Sequence, residues 1–353
     1  MEHESNGNPA ALLPFVFSGK GAEYFSIWIV NVALTIVTLG IYSAWAKVRK
    51  LQYLYRNTSL AGSSFDYHGN PIAILKGRLI AFGALVGSQL SLQFSPMIGI
   101  ALLIVLGIIF PWIIKRSLQF KLFNSSYRGL RFSFNGDNGG AYRVFLGLTV
   151  AASFIGFIWP YTHQQIKKYQ HDNSRYGQTR FIFSATPGQY YKIYMIAGLL
   201  GLIALFLIGV LVGGAIFQGI MSTQQGPRTP FAAILPLVFV FLFFAVYQII
   251  VGPFIQARLQ NVVWNNTKLG EHRFVSNVSA RKLFAITFTN FILIILTLGL
   301  YKPFATIRLL RYRLETMAFV PHGSLEDFLV GQAQQQSATG EETAEMFDVD
   351  ISF

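Results

Sequence analysis

The chain alternates between long apolar runs and short basic connectors. Six runs contain no Asp, Glu, Lys or Arg, and they cover residues 24–46, 79–114, 144–166, 193–227, 229–257 and 283–301. A membrane-spanning helix needs about 20 apolar residues, and a polar, proline-containing sequence at 89–96 divides the second run. The pattern therefore predicts about seven hydrophobic helices, as two hairpins and three single segments. We expect an all-α polytopic integral membrane protein.

The connectors between these runs repeat without gaps. Four copies cover residues 44–67, 111–134, 160–183 and 253–276. Each contains an Asn followed by Ser or Thr at the same offset, namely at Asn57, Asn124, Asn173 and Asn266. A fifth, degenerate copy at 303–315 lacks this pair, and residues 31–55 resemble residues 290–314. Agreement at matched offsets in four copies indicates an internal repeat.

Each copy has the same succession of physical properties. A basic amphipathic stretch follows an apolar helix and suits an anionic membrane surface. The Asn-Ser/Thr pair and a Gly then predict a helix end and a turn. A short Phe-x-Phe segment follows, and its alternation is typical of a strand. Residues 15–17 have the same pattern, so we consider the hypothesis that five such strands pair at one membrane face.

Two topologies are compatible with the charge distribution. If all seven segments cross, the basic residues divide 17 to 11 between the two faces, with copies three and four opposite the others. If all copies share one face, the three single segments are re-entrant or interfacial, and 27 of 28 basic residues lie in the cytoplasm. We favour seven crossings because the single runs are long enough to cross. Both topologies give a cytoplasmic C-terminus.

Composition agrees with a membrane location and excludes several soluble classes. The chain is 53% hydrophobic and 12% charged, with mean hydropathy +0.46, net charge +13 and pI about 9.9. This excludes an ordinary cytosolic enzyme domain, a disordered chain and a nucleic-acid-binding module. We divide the chain into a flexible N-terminus at 1–14, a membrane domain at 15–315 and a disordered cytoplasmic tail at 316–353, which holds seven acidic residues and no Lys or Arg.

No pattern of catalytic, cofactor-binding or metal-ligating residues stands out. The chain has no Cys, and it contains no phosphate-loop, metalloprotease or nucleophile-elbow motif. His163 and His171 share a connector, and we expect them to be solvated at the interface. We therefore expect no enzyme activity, cofactor or metal.

Binding residues are easier to nominate. Basic residues interleaved with aromatic ones suit anionic lipid headgroups, although topology determination alone also requires basic flanks. The headgroup candidates are Lys47, Arg49, Lys50, Lys115, Arg116, Arg308, Arg311 and Arg313. Polar residues within the runs either bond across helices or line a pathway, and they are Asn31, Asn290, Gln89 and Gln248. We expect anionic membrane lipids as partners and no nucleic acid, and leave a homo-oligomer open.

The sequence resembles the YjgN-like bacterial inner-membrane proteins over about residues 15–320. The resemblance rests on the stretch from Phe17 to Thr58, which contains TLGIYSAWAKVR, and on TLGLYKPF from Thr297. It implies a multi-pass inner-membrane protein of a family without an established function, and it carries over no catalytic residues. The paired hairpins, repeated modules and polar intramembrane residues favour transport or a channel-like role for an unidentified solute. The alternative is a non-catalytic membrane scaffold or an anionic-lipid-binding protein.

Overall fold

A computed structural model describes residues 12–223 and 230–323, together with Phe328 and Gly331. Most of the predicted N-terminal segment and of the acidic tail lies outside these residues. The helices are α1 (Gly21–Val37), α2 (Ser43–Arg56), α3 (Pro71–Phe94), α4 (Pro96–Phe123), α5 (Asn138–Tyr142), α6 (Thr149–Phe154), α7 (Trp159–Asp172), α8 (Pro187–Thr223), α9 (Pro230–Asn265), α10 (Ala280–Leu296) and α11 (Lys302–Glu315). The strands are β1 (Leu13–Phe17), β2 (Thr58–Leu60), β3 (Ser63–Tyr67), β4 (Ser125–Tyr127), β5 (Leu130–Phe134), β6 (Ser174–Tyr176), β7 (Thr179–Phe183), β8 (Thr267–Leu269), β9 (His272–Ser276) and β10 (Met317–Val320).

Each of the four Asn-Ser/Thr pairs ends a helix by bonding back to it. The Asn side chain donates from Nδ2 to the carbonyl four residues earlier, at 2.8 Å in all four copies. The next Ser or Thr donates from its hydroxyl to its own carbonyl four residues back, at 2.6–2.8 Å. These bonds satisfy carbonyls that a helix end otherwise leaves without a partner. In the fifth copy Thr316 replaces the pair and bonds to the Tyr312 carbonyl at 2.9 Å.

A tight β-hairpin follows each of the first four helix ends. In the first two hairpins both central turn residues have positive φ, with 47° and 76° at Ala61 and Gly62 and 47° and 79° at Arg128 and Gly129. This is the type I′ pattern, whose twist matches that of the strands it joins. Each hairpin therefore joins a three-residue strand to a five-residue strand.

The hairpins and the two terminal strands form one closed antiparallel barrel. Its order is β1-β10-β9-β8-β7-β6-β5-β4-β3-β2, so that pairing of β1 with β10 closes the ring. Backbone hydrogen bonds of 2.8–2.9 Å also join neighbouring modules. In each, the carbonyl of the residue at a helix end accepts from the backbone N–H of the residue that follows the adjacent five-residue strand. The donor and acceptor pairs are Ser18 and Asn57, His68 and Asn124, Asn135 and Asn173, Ser184 and Asn266, and Asn277 and Thr316.

The closed barrel contradicts the all-α fold expected from the sequence. The expectation of about seven hydrophobic helices is also wrong: within the described residues, three segments are long and apolar enough to cross a membrane. They are Pro71–Phe94, Pro96–Phe123 and Pro187–Leu207, the last of which is part of α8. Apolar α1, with 17 residues, is shorter.

The three single runs bend back instead of continuing as one helix. Between α1 and α2 the chain turns at Leu39 and Gly40, with φ of 50° and 93°, and between α10 and α11 it does so at Leu298 and Gly299 with the same two values. Positive φ is incompatible with a continuing right-handed helix. The third run passes through a π-helical segment, α6 and a 3₁₀ turn before α7. Composition alone conceals these breaks because every residue in them is uncharged.

The Asn helix ends give a direct stability test. Replacing Asn124 with Asp keeps the shape of the side chain but removes the Nδ2 donor and directs a carboxylate at helix carbonyls. Because Asn124 is buried, we expect Asn124→Asp to cost about 1–3 kcal/mol. The measurement is the thermal unfolding midpoint of the full chain in detergent. Asn135→Asp is the matched control, since Asn135 is exposed and contributes its backbone to the module junction; equal midpoints for the two variants would contradict this role.

Candidate functional site: a basic cleft between α1, α2 and α11

The larger of two notable cavities is a cleft of about 380 Å³ where three helices of the first and last modules meet. The turn after α1 folds α2 back along it, and α11 packs against α1 from the other end of the chain. The lining residues are Tyr24, Trp28, Asn31, Val32, Thr35, Ile36, Ser43, Ala46, Lys47, Lys50, Lys302, Pro303 and Thr306. The cleft therefore combines an apolar wall from α1 with three lysines from α2 and α11.

Asn31 gives the cleft a buried polar group without a partner. Its side chain is 6% exposed, and its Oδ1 forms no hydrogen bond. An unsatisfied buried acceptor costs about 1–3 kcal/mol. A ligand whose donor reaches Oδ1 would remove this cost.

The equivalent residue in the last module is fully paired. Asn290 is also 6% exposed, but its Nδ2 donates to the Ala305 carbonyl at 3.3 Å and its Oδ1 accepts from Arg308 at 3.5 Å. In the first module Arg49 occupies the position of Arg308, and it donates to the Tyr42 hydroxyl at 3.2 Å instead. The orphaned oxygen of Asn31 is thus a difference between two related sites.

Positive charge accumulates in the cleft, whose lining contains three lysines and no carboxylate. Burial lowers the pKa of Lys47, and the charges of Arg78 and Lys121 lower it further. Arg78 extends from α3 and donates to the Ser43 hydroxyl. Since like charges are held together here, an anion would relieve their repulsion.

The breaks in the three single runs carry exposed apolar side chains. Leu39 is 95% exposed and its counterpart Leu298 is 94% exposed, while Phe154 at the end of α6 is 86% exposed. Each of the three bent segments thus presents an apolar tip to its surroundings. Large exposed apolar groups at the end of an otherwise packed hairpin suit burial in a bilayer interface.

The structure separates the eight predicted headgroup residues into groups. Lys47 and Lys50 line the cleft. Arg49 and Arg308 bond within their own modules, as described above. Four others have structural contacts: Lys115 donates to Asn138 at 2.7 Å, Arg116 lies 5.4 Å from the Trp112 ring centre, Arg311 donates to the Gly19 carbonyl at 2.7 Å, and Arg313 bonds to Gln260 at 2.5 Å.

The remaining predicted residues lie outside the cleft, apart from Asn31. Gln89 and Gln248 are exposed on α3 and α9. His163 is not solvated as expected, because its Nδ1 is 2.8 Å from the Tyr194 hydroxyl and burial lowers its pKa to about 4. His171 has the same lowered pKa of about 4, again mainly from burial, and its Nδ1 lies 3.3 Å from Thr267 Oγ1.

Sequence reasoning missed Lys302, Trp28 and the role of Ser43. Lys302 is the third residue after the second Thr-Leu-Gly sequence and aligns with Ser43 after the first, which was the available signal. Nothing in the sequence shows that α11 packs against α1, so that Lys302 and Lys47 share one cleft.

The second cavity is the lumen of the barrel. It has a volume of about 140 Å³ and an apolar lining dominated by aromatic rings, and Phe328 contributes to it. Three rings follow one another around the lumen, with centres 6.4 Å apart between Phe132 and Phe181 and 6.1 Å apart between Phe181 and Phe274. The barrel interior is therefore a packed aromatic core that leaves space for a small apolar group.

Two comparisons find related proteins. A family model described as "Bacterial protein of unknown function (DUF898)" matches residues 12–346. Inner membrane protein YjgN of Salmonella typhimurium is 35% identical over 120 residues, which cover 34% of this chain and 30% of the relative. Inner membrane protein YjgN of Escherichia coli K12 is 35% identical over 123 residues, which cover 34% and 31%. No solved structure matches.

The chain thus matches less than a third of the length of these curated relatives. Their names and the apolar helices of membrane length support a membrane protein. The family model covers nearly the whole described chain and confirms the resemblance drawn from the repeat residues. Part of its sequence is similar to that of the YjgN proteins. The chain belongs to the bacterial protein family of unknown function DUF898.

Proposed function

We propose that this chain is a non-catalytic inner-membrane protein that binds anionic phospholipid in the cleft between α1, α2 and α11. The observation that carries the proposal is the orphaned Oδ1 of Asn31, a residue that lines the same cleft as Lys47, Lys50 and Lys302. Lysines bind phosphate as point charges. A headgroup hydroxyl, as in phosphatidylglycerol, would donate to Asn31. The transport function expected from the sequence stays a prediction, since the cleft supports lipid binding more directly.

The surroundings of the cleft agree with a position at the headgroup layer. Leu39 lies only four residues before Ser43, which bonds to Arg78 at the start of the apolar part of α3. An interfacial element buries its apolar side about 5–10 Å into the boundary between headgroups and acyl chains. The apolar tip at Leu39 would therefore contact acyl chains while the cleft lysines bind phosphates. Trp28 suits the same interface.

We further propose that all five connectors lie on the cytoplasmic side, with the three bent segments re-entrant or interfacial. A closed hydrogen-bonded barrel supports this topology, because strands on opposite sides of a bilayer cannot pair. The exposed apolar tips support shallow insertion of the bent segments. The positive-inside rule then gives a cytoplasmic C-terminus.

Removing the cleft lysines tests the binding proposal. We expect Lys47→Gln/Lys50→Gln/Lys302→Gln to weaken phosphatidylglycerol binding by about 100-fold, since each cation near an anionic surface contributes about 1 kcal/mol and about 1.4 kcal/mol is a factor of ten. Native mass spectrometry of the full chain in detergent measures the bound fraction, with phosphatidylcholine as the neutral lipid. The control is Lys20→Gln/Lys192→Gln/Lys282→Gln, which removes the same charge from exposed positions outside the cleft. Equal loss in both triple variants would mean that binding depends on net charge alone.

The two related asparagines give a matched pair of variants. Asn31→Leu removes an unpaired acceptor, so we expect an unchanged or higher unfolding midpoint together with weaker phosphatidylglycerol binding. Asn290→Leu breaks the bonds to Ala305 and Arg308, so we expect a loss of about 1–3 kcal/mol. Thermal unfolding with and without lipid measures both effects. A destabilised Asn31→Leu that binds lipid normally would refute the assigned role.

Single introduced thiols test the topology, because the chain has no Cys. We expect Ser64→Cys on β3 and Glu271→Cys in the fourth hairpin to react only from the cytoplasmic side. Met97→Cys, exposed at the start of α4, marks the opposite end of the α3/α4 hairpin and should react from the other side. Labelling of Ser64→Cys and Glu271→Cys from different sides would instead support seven crossings.

A further inference from the structure

One half of the outer barrel wall carries a cation on every strand. Five adjacent strands, from β5 to β9, each contribute one outward residue beside the aromatic residues that face the lumen. We call this set the cationic wall, and it consists of Arg131, Arg175, Arg180, Lys268 and Arg273. Four of the five side chains are exposed, and Arg175 is half-buried.

The strand register sets like charges directly opposite one another. Arg175 pairs with Arg180 across β6 and β7, and Lys268 pairs with Arg273 across β8 and β9. Directly opposed like charges destabilise a sheet. Within the described part of the chain, none of the five forms an ion pair, and Arg131 lies 4.6 Å from the centre of the Phe123 ring.

The other half of the same barrel is built without this charge. The outward positions of β1, β2 and β3 include Val16, Ser59 and Ser64, and the charged residue there, Asp66, pairs with Arg56 at 2.9 Å. The hairpins of both halves have the same lengths and helix ends. The cationic wall is therefore not a requirement of the barrel, and its unneutralised repulsion points to an anionic occupant.

The acidic C-terminal segment begins beside this wall. Strand β10 pairs with β9 in a register that sets Val320 opposite Arg273. A few residues later Phe328 packs on the barrel, with its ring centre 4.3 Å from that of His272 and 6.4 Å from that of Tyr176. The chain downstream of Phe328 contains Glu341, Glu342, Glu345, Asp348 and Asp350.

The width of the cationic wall agrees with the length of chain between Phe328 and Glu341. Strands lie about 4.8 Å apart, so five adjacent strands extend over about 19 Å. Phe328 and Glu341 are 13 positions apart in the sequence, and a chain of about 13 residues without regular structure has a root-mean-square length of about 20 Å. A tethered segment also has a local concentration in the millimolar range, which gives it an advantage over a free anion.

We propose that the acidic segment of residues 341–350 docks on the cationic wall of its own barrel, with Phe328 as the fixed point from which it extends. The docked segment neutralises the opposed arginines and covers one side of the barrel. An anionic membrane or a nucleic acid on the same wall is the competing arrangement, and the experiment separates these occupants from the tail.

Distance measurement in the full chain tests the proposal. Spin labels at Ile182→Cys, on the exposed side of β7, and at Thr343→Cys report the separation of wall and tail by double electron–electron resonance. In nanodiscs of phosphatidylcholine we expect a population at short distance that disappears in about 1 M NaCl, where the Debye length falls to about 3 Å. A broad distribution unaffected by salt would overturn the proposal.

Charge variants make the result specific. We expect Arg180→Glu/Arg273→Glu to remove the short-distance population and the added changes Glu341→Lys/Glu342→Lys to restore it. Lys20→Glu/Lys192→Glu, with the same change in net charge away from the wall, should leave it in place. If phosphatidylglycerol nanodiscs or added single-stranded DNA displace the labelled tail at physiological salt, the wall serves a lipid or nucleic acid and the proposal fails.

Discussion

The hydrogen bond between a helix end and the residue after the preceding module's long strand is the constraint on which the architecture depends. The helix-end Asn closes its own helix through the side chain, and its carbonyl accepts from the residue that leaves the neighbouring module's long strand. One residue thus fixes both where a helix stops and how two modules meet. Repetition of this junction around the ring sets five helix ends at one end of a single barrel, including the fifth, where Thr316 supplies the same carbonyl.

That junction leaves the modules free to differ beyond their helix ends. Two connections are long helical hairpins, α3 with α4 and α8 with α9, whereas the others bend back after short helices. The difference creates the cleft, since α1 and α11 belong to short modules that close the ring beside each other. Asn31 and Asn290 occupy equivalent positions in the repeat. Arg308 donates to the Oδ1 of Asn290, whereas Arg49 donates to Tyr42, so that the Oδ1 of Asn31 has no partner.

Sequence patterns predicted local features better than long-range ones. The Asn-Ser/Thr repeat located helix ends and turns, and the Phe-x-Phe alternation located strands, because both signals depend on neighbouring residues. The apolar runs were misinterpreted because positive φ at Leu39 and Leu298 leaves no trace in hydropathy. Barrel closure joins strands about 300 positions apart, and the cleft brings together Lys47 and Lys302, which are 255 positions apart. A single sequence does not show which such distant residues lie close together. The cationic wall was also hidden, since its members are spread over three connectors and only the strand register sets them opposite one another in pairs.

Closure of the barrel by its two terminal strands has a consequence for biogenesis. Strand β1 is made about 300 residues before β10; one of its edges pairs with β2, which follows within about 40 residues, but its other edge pairs with β10. Until synthesis reaches that point, β1 and β9 each present an unpaired edge, which is a template for pairing with other chains. Contacts of such large sequence separation also form slowly. The nascent ring therefore stays open until β10 has been made, and both free edges need protection from other chains during that interval.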